Sequence, residues 1–364
     1  MLKEVYALPR PEFDKSKYRF FSIVADVGGT TAYLAIMGVK DNLHYDIIFK
    51  HQIPTKEITE IHLLLNDILR QAYESFGIEA SRCCISAAGP VSRKRGYIKL
   101  TNAPLEIKKS DILAKTLLGH VILINDFEAI GYGLDNLDFE KDIIPLKSEF
   151  GTVGERVLGN TFAVIGAGTG LGMSIAYYNR EKHLYVPLPS EGGHMDFAPY
   201  DKDDWELLKY LKKKCSAGYQ PEYELLLSGR GFANIYDFLR SRKSVKKTGL
   251  VKRIDSSKGD EKLDLIDEGY GKDELCTKTA DLFVRYYARA AKNLALVSEC
   301  YGGLFLNGKI VLKKLKAFSK FVEEFHRHAK EEAVLRKIPV FVIKNTDIAL
   351  HGCCNVVTNF YNIS

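Results

Sequence analysis

The feature that most constrains the fold is a strand–glycine–strand pattern that occurs twice. The first copy runs through the apolar segment FSIVADV, the glycine-containing residues 28–31 and a second apolar segment, AYLAIMGV. The second copy is TFAVIGAGTGLGMSIAYYN, with its glycines at residues 166–172. Each copy predicts a β-hairpin, and each hairpin begins a strand-rich half of the chain. The sequence therefore predicts a duplicated architecture.

The segments around these hairpins predict a mixture of strands and helices. The first half adds strands in YDIIFKHQI, RCCISAAGPV and HVILIND, with an amphipathic helix in ITEIHLLLNDILRQAYESFG. The second half adds helices in DDWELLKYLKKK, GFANIYDFLRSR, CTKTADLFVRYYARAAKNLALVSEC and KLKAFSKFVEEFHRHAKEEAVL, and strands in GGLFLNGKI and IPVFVIKN. Residues 1–19 are predicted to be an N-terminal extension with some helical character. The polar residues 240–272 predict a solvated loop or insertion, with a site for a nucleic acid or a partner protein as the alternative.

Length and composition exclude several classes of protein. Hydrophobic residues make up 46% and charged residues 27% of the 364 residues, which excludes a disordered chain, a collagen-like fibre and a disulfide-dense miniprotein. The net charge of +6 comes without the basic, aromatic-interleaved stripe that nucleic-acid binding needs. No run of about 18 apolar residues predicts a membrane span, and the first twenty residues contain no signal-peptide core. We therefore expect neither a nucleic-acid nor a membrane partner.

The seven cysteines indicate a reducing compartment. Cys83-Cys84 and Cys353-Cys354 are adjacent pairs in apolar surroundings, with no C-x-x-C pair and no histidine at zinc spacing. An odd number of buried free thiols is typical of a reducing cytoplasm, so we expect a cytoplasmic protein without a structural zinc.

The tip of the first hairpin has the chemistry of a phosphate-binding loop. Gly28 and Gly29 permit a tight turn with positive φ and leave their backbone N–H groups open to a phosphate. Thr30 and Thr31 add hydroxyl donors. Asp26, at the end of the strand, is placed to hold a hydrated Mg²⁺ ion. A plain Gly-Gly hairpin turn is the alternative.

The tip of the second hairpin matches the first. Residues 166–172 contain four glycines and one threonine, which is more glycine than a hairpin needs. They do not form a Walker loop, and a strand follows them where a dinucleotide-binding fingerprint requires a helix. Two such hairpins facing each other would clamp a polyphosphate from both sides.

Three further polar segments are candidates for acid–base chemistry and hydroxyl recognition. Asp126, after Asn125 at the end of a buried strand, is placed as a general base, and a helix cap is the alternative. In the segment SEGGHMD, Glu191 can accept two hydrogen bonds from a vicinal diol and His194 can donate one. Glu224, just before LLSGRG, is a further carboxylate, with an exposed helix residue as the alternative.

The order of these segments resembles one family. The chain contains ADVGGTT, AAGPV with LTNAPLEI, INDFEAIGYG, GAGTGLG, PSEGGHMDFAP, YELLLSGRGFANIY and GGLFLNGKI, in that order. It is similar to glucokinases of the bacterial type, within the actin–hexokinase–Hsp70 ATPase superfamily. The resemblance runs from about Phe21 to Cys354. INDFEA, SEGGHMDFAP and LLSGRG are the specific motifs, whereas DVGGT alone would indicate only the superfamily.

The resemblance implies roles where the motifs match. Asp126 is then the catalytic base, and the sugar site consists of Asn125, Asp126, Glu191, His194 and Glu224. The implied nucleotide-binding residues are Asp26, Gly28, Gly29, Thr30 and Thr31 in the first loop, Gly168, Thr169 and Gly170 in the second, and Gly302 and Gly303 near the adenosine. Mg²⁺ is the implied cofactor and ATP the co-substrate, with Asp26 holding the metal directly or through water.

Three positions depart from the pattern of the family, all on the nucleotide side. Thr31 stands where asparagine is usual, Tyr33 where an arginine is usual, and Lys309 follows Gly308 where a second glycine is usual. The cysteine-rich zinc motif of the related repressor–ORF–kinase sugar kinases is absent from the sequence, which argues against that branch.

The resemblance implies an α/β chain with a two-domain actin-like ATPase (ribonuclease H-like) fold and an active site in the cleft between the domains. The predicted small domain comprises residues 20–135 and 346–364, and the large domain residues 136–345. The implied activity is ATP-dependent phosphorylation of glucose at its 6-hydroxyl. The alternatives are a kinase for another hexose or an amino sugar, and a non-catalytic sugar sensor on the same fold. The phosphoryl donor (ATP, ADP or polyphosphate) and a homodimeric state are left open by the sequence.

Overall fold

The computed structural model describes residues 2–92, 94–147, 159–215, 218, 220–242 and 248–360. Within these residues the chain is α/β, as predicted, with two mixed six-stranded sheets and a small three-stranded sheet. The strands are β1 (Lys3–Ala7), β2 (Phe20–Val27), β3 (Thr31–Val39), β4 (Tyr45–Pro54), β5 (Arg82–Ala87), β6 (Val91–Ser92), β7 (Tyr97–Lys99), β8 (Glu106–Lys108), β9 (His120–Asn125), β10 (Ile143–Lys147), β11 (Thr161–Ala167), β12 (Leu171–Asn179), β13 (Leu184–Leu188), β14 (Gly303–Asn307) and β15 (Val340–Ile343). The helices are α1 (Ile61–Phe76), α2 (Lys109–Lys115), α3 (Asp126–Gly133), α4 (Lys202–Cys215), α5 (Gly229–Arg240), α6 (Gly249–Ser256), α7 (Gly259–Glu268), α8 (Glu274–Ser298), α9 (Lys309–Lys313), α10 (Leu315–Phe318), α11 (Phe321–His326), α12 (Glu332–Leu335) and α13 (Ile348–Asn359).

The chain divides into two compact units. The first unit comprises residues 1–138, 176–189 and 345–364, and the second comprises residues 139–175 and 190–344. The predicted division placed residues 176–189 in the large domain, whereas this segment belongs to the first unit. Strand β13 packs against α3 there, and the backbone N–H of Tyr185 donates to the buried carboxylate of Asp135 at 2.8 Å.

The sheet of the first unit has the order β1-β4-β3-β2-β5-β9. The predicted hairpin of β2 and β3 is antiparallel, whereas β5 and β9 run parallel to β2. Helix α1 buries Ile61, Leu65, Ile68 and Ala72 along one stripe, and α13 packs against β2 and β5. Because β2, β5 and β9 are parallel, their carboxyl ends meet at one edge of the sheet.

The second unit is built around the 25-residue helix α8. Its sheet has β11 and β15 parallel to β14, and α5 and α11 pack against α8. The long helix predicted near residue 320 is instead a series of short helices, α10 to α12. Phe318, Phe321 and Phe325 are fully buried, and the first two rings pack on that of Tyr287, so packing of these rings decides the local conformation.

Two predicted loop or tail segments have more structure than their composition indicates. Within the described residues 2–19, the structure has β1 on the sheet edge beside β4 and two short 3₁₀ turns, not an α-helix.

The prediction of a solvated loop over residues 240–272 is wrong for its described part, which forms α6 and α7. These two helices bury Val251, Ile254, Leu265 and Ile266, so their apolar faces belong to the core. Residues 243–247 of this stretch lie outside the described residues.

The described residues also bear on the cysteine, membrane and metal expectations. All seven cysteines are free, and all except the partly exposed Cys215 are buried, as predicted. Burial raises the pKa of Cys83 and Cys354, the latter to about 12, so the Cys354 thiol stays protonated.

Among the described helices none has the length and apolar character to cross a membrane. The described part of the chain also contains no group of three or more histidine, cysteine, aspartate or glutamate residues arranged to hold a metal.

Candidate active site

Asp26 lies at the carboxyl edge of the parallel strands of the first unit. Its carboxylate accepts a hydrogen bond from the Ser86 hydroxyl at 2.7 Å. The pKa of Asp26 is raised to about 6, chiefly because the carboxyl is buried; the Ser86 hydrogen bond lowers the pKa and the nearby Asp347 carboxylate raises it, and both effects are smaller than that of burial. The carboxylate is therefore held in a position that disfavours its charge, which a bound cation would relieve.

The first glycine loop, residues 28–31, is held by Thr55 at the end of β4. The Thr55 hydroxyl donates to the carbonyl of Gly28 at 2.7 Å, and the Thr55 N–H donates to the carbonyl of Thr30 at 2.9 Å. Gly28 does not adopt a positive φ, contrary to the sequence-based expectation. A Cβ at Gly28 would instead lie 3.0 Å from the carbonyl oxygen of Thr31, so the close approach of the backbone across the hairpin is what favours glycine.

Asn125 caps helix α3, and Asp126 is its first residue. The Asn125 side chain accepts from the N–H groups of Phe127 and Glu128, and the Glu128 carboxylate accepts from the N–H of Asn125, which completes a capping box. The Asn125 amide also donates to the carbonyl of Gly89 at 3.2 Å. The capping alternative is therefore present for Asn125. It leaves the partly exposed carboxylate of Asp126 at the same sheet edge as Asp26, since β5 lies between β2 and β9.

The second glycine loop, residues 168–170, is bound to the segment that precedes and begins helix α5. The N–H of Gly229 donates to the carbonyl of Gly168 at 2.9 Å, and the Gly168 N–H donates to the carbonyl of Gly170 at 2.8 Å. Gly168 and Thr169 are exposed, and a Cβ added to Gly168 would meet no atom within 4 Å. The space beside this backbone is open to a ligand.

Glu224 joins the second glycine loop to the predicted sugar residues. Its buried carboxylate accepts from the backbone N–H of Leu171 at 3.1 Å, and the guanidinium of Arg230 lies 3.4 Å from its other oxygen. The exposed-helix alternative is therefore wrong for Glu224. Its side chain fixes the residue that follows the loop.

Glu191 and His194 lie together in the segment that follows β13. The Glu191 carboxylate is 62% exposed, and one of its oxygens lies 4.0 Å from Nε2 of His194. A Cβ at Gly193 would lie 1.8 Å from the carbonyl of Leu171, so the missing side chain lets this segment pack directly on the start of β12. Glu191, His194, Glu224 and the second glycine loop thus form one cluster in the second unit, named here the second half-site.

Gly302 and Gly303 are not part of that cluster. In the parallel pair of β11 and β14, Gly303 is level with Phe162, whereas the glycine loop follows the other end of β11, about 17 Å further along at 3.3 Å per residue. A Cβ at Gly302 would overlap the Phe162 ring, so this glycine serves core packing. Gly308, with a φ of +109°, lies against the carbonyl of Ala167 beside the loop. Lys309 begins α9 in a helical conformation that requires no second glycine.

Sequence reasoning missed Thr55, Ser86 and Glu222. Thr55, directly after β4, supports the first loop, and Ser86, in β5, supports Asp26. Both come from segments distant in sequence, so no local motif marks them. Glu222 lies two residues before Glu224 in no recognised motif, yet its carboxylate lies 3.0 Å from Nδ1 of His194.

Comparison with known proteins shows which family the chain belongs to. A family model described as glucokinase matches residues 23–359. The glucokinase of Nostoc punctiforme is 30% identical over 344 residues, which cover 91% of this chain and 96% of the relative.

Solved structures agree with that match. The crystal structure of a glucokinase from an Antarctic psychrotroph aligns with a TM-score of 0.74 and 25% identity, covering 93% of this chain and 99% of that one. The crystal structure of the Balamuthia mandrillaris glucokinase in complex with glucose aligns with a TM-score of 0.78 and 22% identity, covering 93% of each chain. The fold is therefore shared with these sugar kinases, as the sequence motifs imply.

Proposed function

The chain belongs to the glucokinase family, and we propose that it transfers the γ-phosphoryl group of ATP to the 6-hydroxyl of glucose with Asp126 as the general base. The observation that carries the assignment of Asp126 is its position as the first residue of α3, at the sheet edge that also carries Asp26 and the first glycine loop. A base at this edge would face a sugar hydroxyl close to the transferring phosphate.

Asp126 would remove the proton of the 6-hydroxyl as the oxygen attacks the γ-phosphorus in line. The side chain of Asn125 is engaged in the cap of α3, so Asn125 supports this step by fixing the backbone that carries Asp126. A cap that rigidly positions the first residue of the helix also positions the base, so the capping and catalytic interpretations are compatible.

The two glycine loops would hold the phosphates of the nucleotide. Gly28, Gly29, Thr30 and Thr31 offer backbone N–H and hydroxyl donors in the first unit, and Gly168, Thr169 and Gly170 do so in the second. We do not carry Gly302 and Gly303 into this proposal, because they lie at the far end of β11 from the loop.

Asp26 is the residue that would hold Mg²⁺, directly or through water. The fit is chemical, because a carboxylate whose pKa is raised to about 6 by burial gains most from a neighbouring cation. The chemistry that Mg²⁺ supplies when bound is neutralisation of charge on the phosphate oxygens. Ser86 would keep the Asp26 carboxylate oriented through its 2.7 Å hydrogen bond.

Glu191, His194 and Glu224 would bind the hydroxyls of the sugar. Glu191 is the most exposed of the three carboxyl or imidazole groups and so the most accessible to a ligand, whereas Glu224 is nearly buried and already holds Leu171. Fixing the ring in one orientation brings the 6-hydroxyl to the phosphate and supplies much of the rate gain. We further propose a cytoplasmic location, supported by the free thiols. A homodimer stays a prediction, which sedimentation velocity would test.

A coupled assay over a panel of sugars, crossed with ATP, ADP and polyphosphate as donors, tests this function. We expect glucose with ATP to give the highest kcat/KM. A higher kcat/KM with another hexose, an amino sugar or another donor would replace glucose or ATP in the proposal. Sugar binding by calorimetry without turnover on any pair would favour the non-catalytic sensor.

A further inference from the structure

We propose that Glu222 is a positioning residue that fixes the tautomer of His194, so that the imidazole accepts a hydrogen bond from the sugar and does not donate one. The inference rests on the proposed function and deepens it, because it states which hydrogen-bonding partner the second half-site requires. It also corrects the donor role that the sequence predicts for His194.

The backbone brings Glu222 to His194 across a short antiparallel bridge. Asp196 and Glu222 are bridge partners, the N–H of Tyr223 donates to the carbonyl of Met195 at 2.9 Å, and the N–H of Phe197 donates to the carbonyl of Pro221 at 2.8 Å. Two segments more than twenty residues apart are thereby locked in register. The Glu222 side chain is 18% exposed, which shields it from competing water.

The contact fixes which ring nitrogen carries the proton. The Glu222 carboxylate can only accept, so at 3.0 Å the Nδ1 of His194 must be the donor. In the neutral imidazole the other nitrogen, Nε2, is then left as an acceptor. Nε2 lies 4.0 Å from a carboxylate oxygen of the exposed Glu191, on the side of the ring that the proposed function assigns to the sugar.

The consequence is a second half-site that offers the sugar acceptors from three side chains. The carboxylates of Glu191 and Glu224 accept, and Nε2 of His194 accepts as well. A bound sugar must therefore donate the protons of the hydroxyls that face these groups. A group that can only accept, such as fluorine, should not replace a hydroxyl there.

The substitution Glu222→Met tests the inference, because it removes the acceptor while nearly keeping the side-chain length. His194 is then free to turn and to carry its proton on Nε2. We expect the KM for glucose to rise about 5- to 50-fold, the range for one lost hydrogen bond in a shielded site, with a much smaller change in kcat. Glu222→Gln should restore most of the affinity, because its amide oxygen can still accept from Nδ1. Glu206→Met, on the exposed face of α4, is the matched control and should leave both constants unchanged.

Monodeoxy and monodeoxyfluoro glucoses at carbons 2, 3 and 4 report the direction of the hydrogen bond. In the unsubstituted enzyme, at the position that faces His194, both analogues should bind equally poorly, because neither can donate. In Glu222→Met the fluoro analogue at that position should bind better than the deoxy analogue, because Nε2–H becomes available as a donor.

A double-mutant cycle separates positioning from general structural support. In the His194→Ala background, Glu222→Met should have no further effect on KM. An equal effect of Glu222→Met with and without His194 would overturn the inference, and so would an unchanged KM or fluoro analogues that bind like glucose at all three positions in the unsubstituted enzyme. These outcomes presuppose glucose turnover by that enzyme, so they are distinct from failure of the proposed function itself.

Discussion

The two glycine hairpins have the same strand–loop–strand plan, but they are held in place by different chemistry. The loop of β2 and β3 is anchored by the neutral hydroxyl and the backbone N–H of Thr55. The loop of β11 and β12 is anchored by the carboxylate of Glu224 and by the backbone N–H of Gly229. The first loop stands beside an aspartate with a raised pKa, Asp26, whereas the second stands beside the predicted sugar ligands.

This difference indicates that substitutions in the two units should affect different steps. In the proposed function the first unit carries the general base and the carboxylate for the cation, so damage there should affect turnover and nucleotide binding. In the second unit Glu224 serves both the loop and the sugar cluster, so damage there should affect both ligands. The two loops thus share a strand–loop–strand plan, whereas their supports differ in what they connect.

Asp126→Asn should have the largest effect and tests the role of the first unit most directly. The amide keeps the shape of the side chain and the start of α3 but cannot accept the hydroxyl proton. We expect kcat to fall roughly 10²- to 10⁴-fold with glucose affinity retained. Steady-state kinetics with calorimetry for glucose measures this, and turnover near that of the parent enzyme would reduce Asp126 to a helix-terminal residue.

Glu191→Gln should weaken glucose binding while leaving nucleotide binding almost unchanged. The carboxylate can accept two hydroxyl protons, whereas the amide presents an NH₂ group to a hydroxyl that was donating. A cost on the order of 1–3 kcal/mol corresponds to roughly 5- to 100-fold weaker affinity. Calorimetry with each ligand alone checks it. Weaker ATP binding with normal glucose binding would place this segment on the nucleotide side.

Glu224→Gln and Thr55→Val compare the two anchors. Glu224→Gln should raise the KM for both glucose and MgATP by about 3- to 30-fold, because the carboxylate that accepts from the N–H of Leu171 is also the one proposed to bind the sugar. Thr55→Val removes only the hydroxyl bond to Gly28 and should raise the KM for MgATP alone, by up to about tenfold. Kinetics with each substrate varied in turn measures both, and a change confined to glucose in Glu224→Gln would break the proposed link.

In the ligand-free protein, Asp26→Asn should also change how stability depends on pH, an effect separate from any loss of cation binding. The pKa of Asp26 is about 6 in the folded protein, above the ordinary value of an aspartate carboxyl group. The folded state therefore binds this proton more tightly, and the free energy of unfolding falls as pH rises from about 4 to 6. The asparagine variant should escape this loss and be more stable by on the order of 3 kcal/mol at pH 8, with no gain at pH 4. Denaturant melts of the ligand-free protein at both pH values measure the difference, and an equal gain at the two would assign it to something other than this titration.

The pattern of apolar segments and glycines predicted the strands and helices that position the site, because strand, turn and helix formation there depend on neighbouring residues in the sequence. The hairpins, β9 with α3 and the α8 helix are all present where the sequence predicts them. The helices α6 and α7 were missed because few apolar residues lie in a highly charged segment, and their burial depends on the surrounding helices. The broken helix near Phe321 shows tertiary packing overriding local helix propensity.

Site residues could be predicted from the sequence where they lie within one motif. Contacts between segments that are distant in sequence could not. INDFEA and SEGGH carry their own polar residues, so Asp126, Glu191 and His194 could be proposed as site residues from the sequence alone. The adjacent glycines at residues 302–303 were misleading, because a sequence does not show which end of a strand faces the site. Glu222 could not be found, because its role depends on the bridge that joins it to Asp196.

Strand β1 covers the outer edge of β4 at the margin of the first sheet. Each of its residues from Lys3 to Ala7 is exposed, and the strand carries the charges of Lys3 and Glu4 next to Val5 and Tyr6. Without it the ten-residue strand β4 would present unpaired backbone donors and acceptors to another copy of the chain. The short, bulged and partly charged β1 is a poor template for such pairing, so this segment protects the protein against aggregation at high concentration.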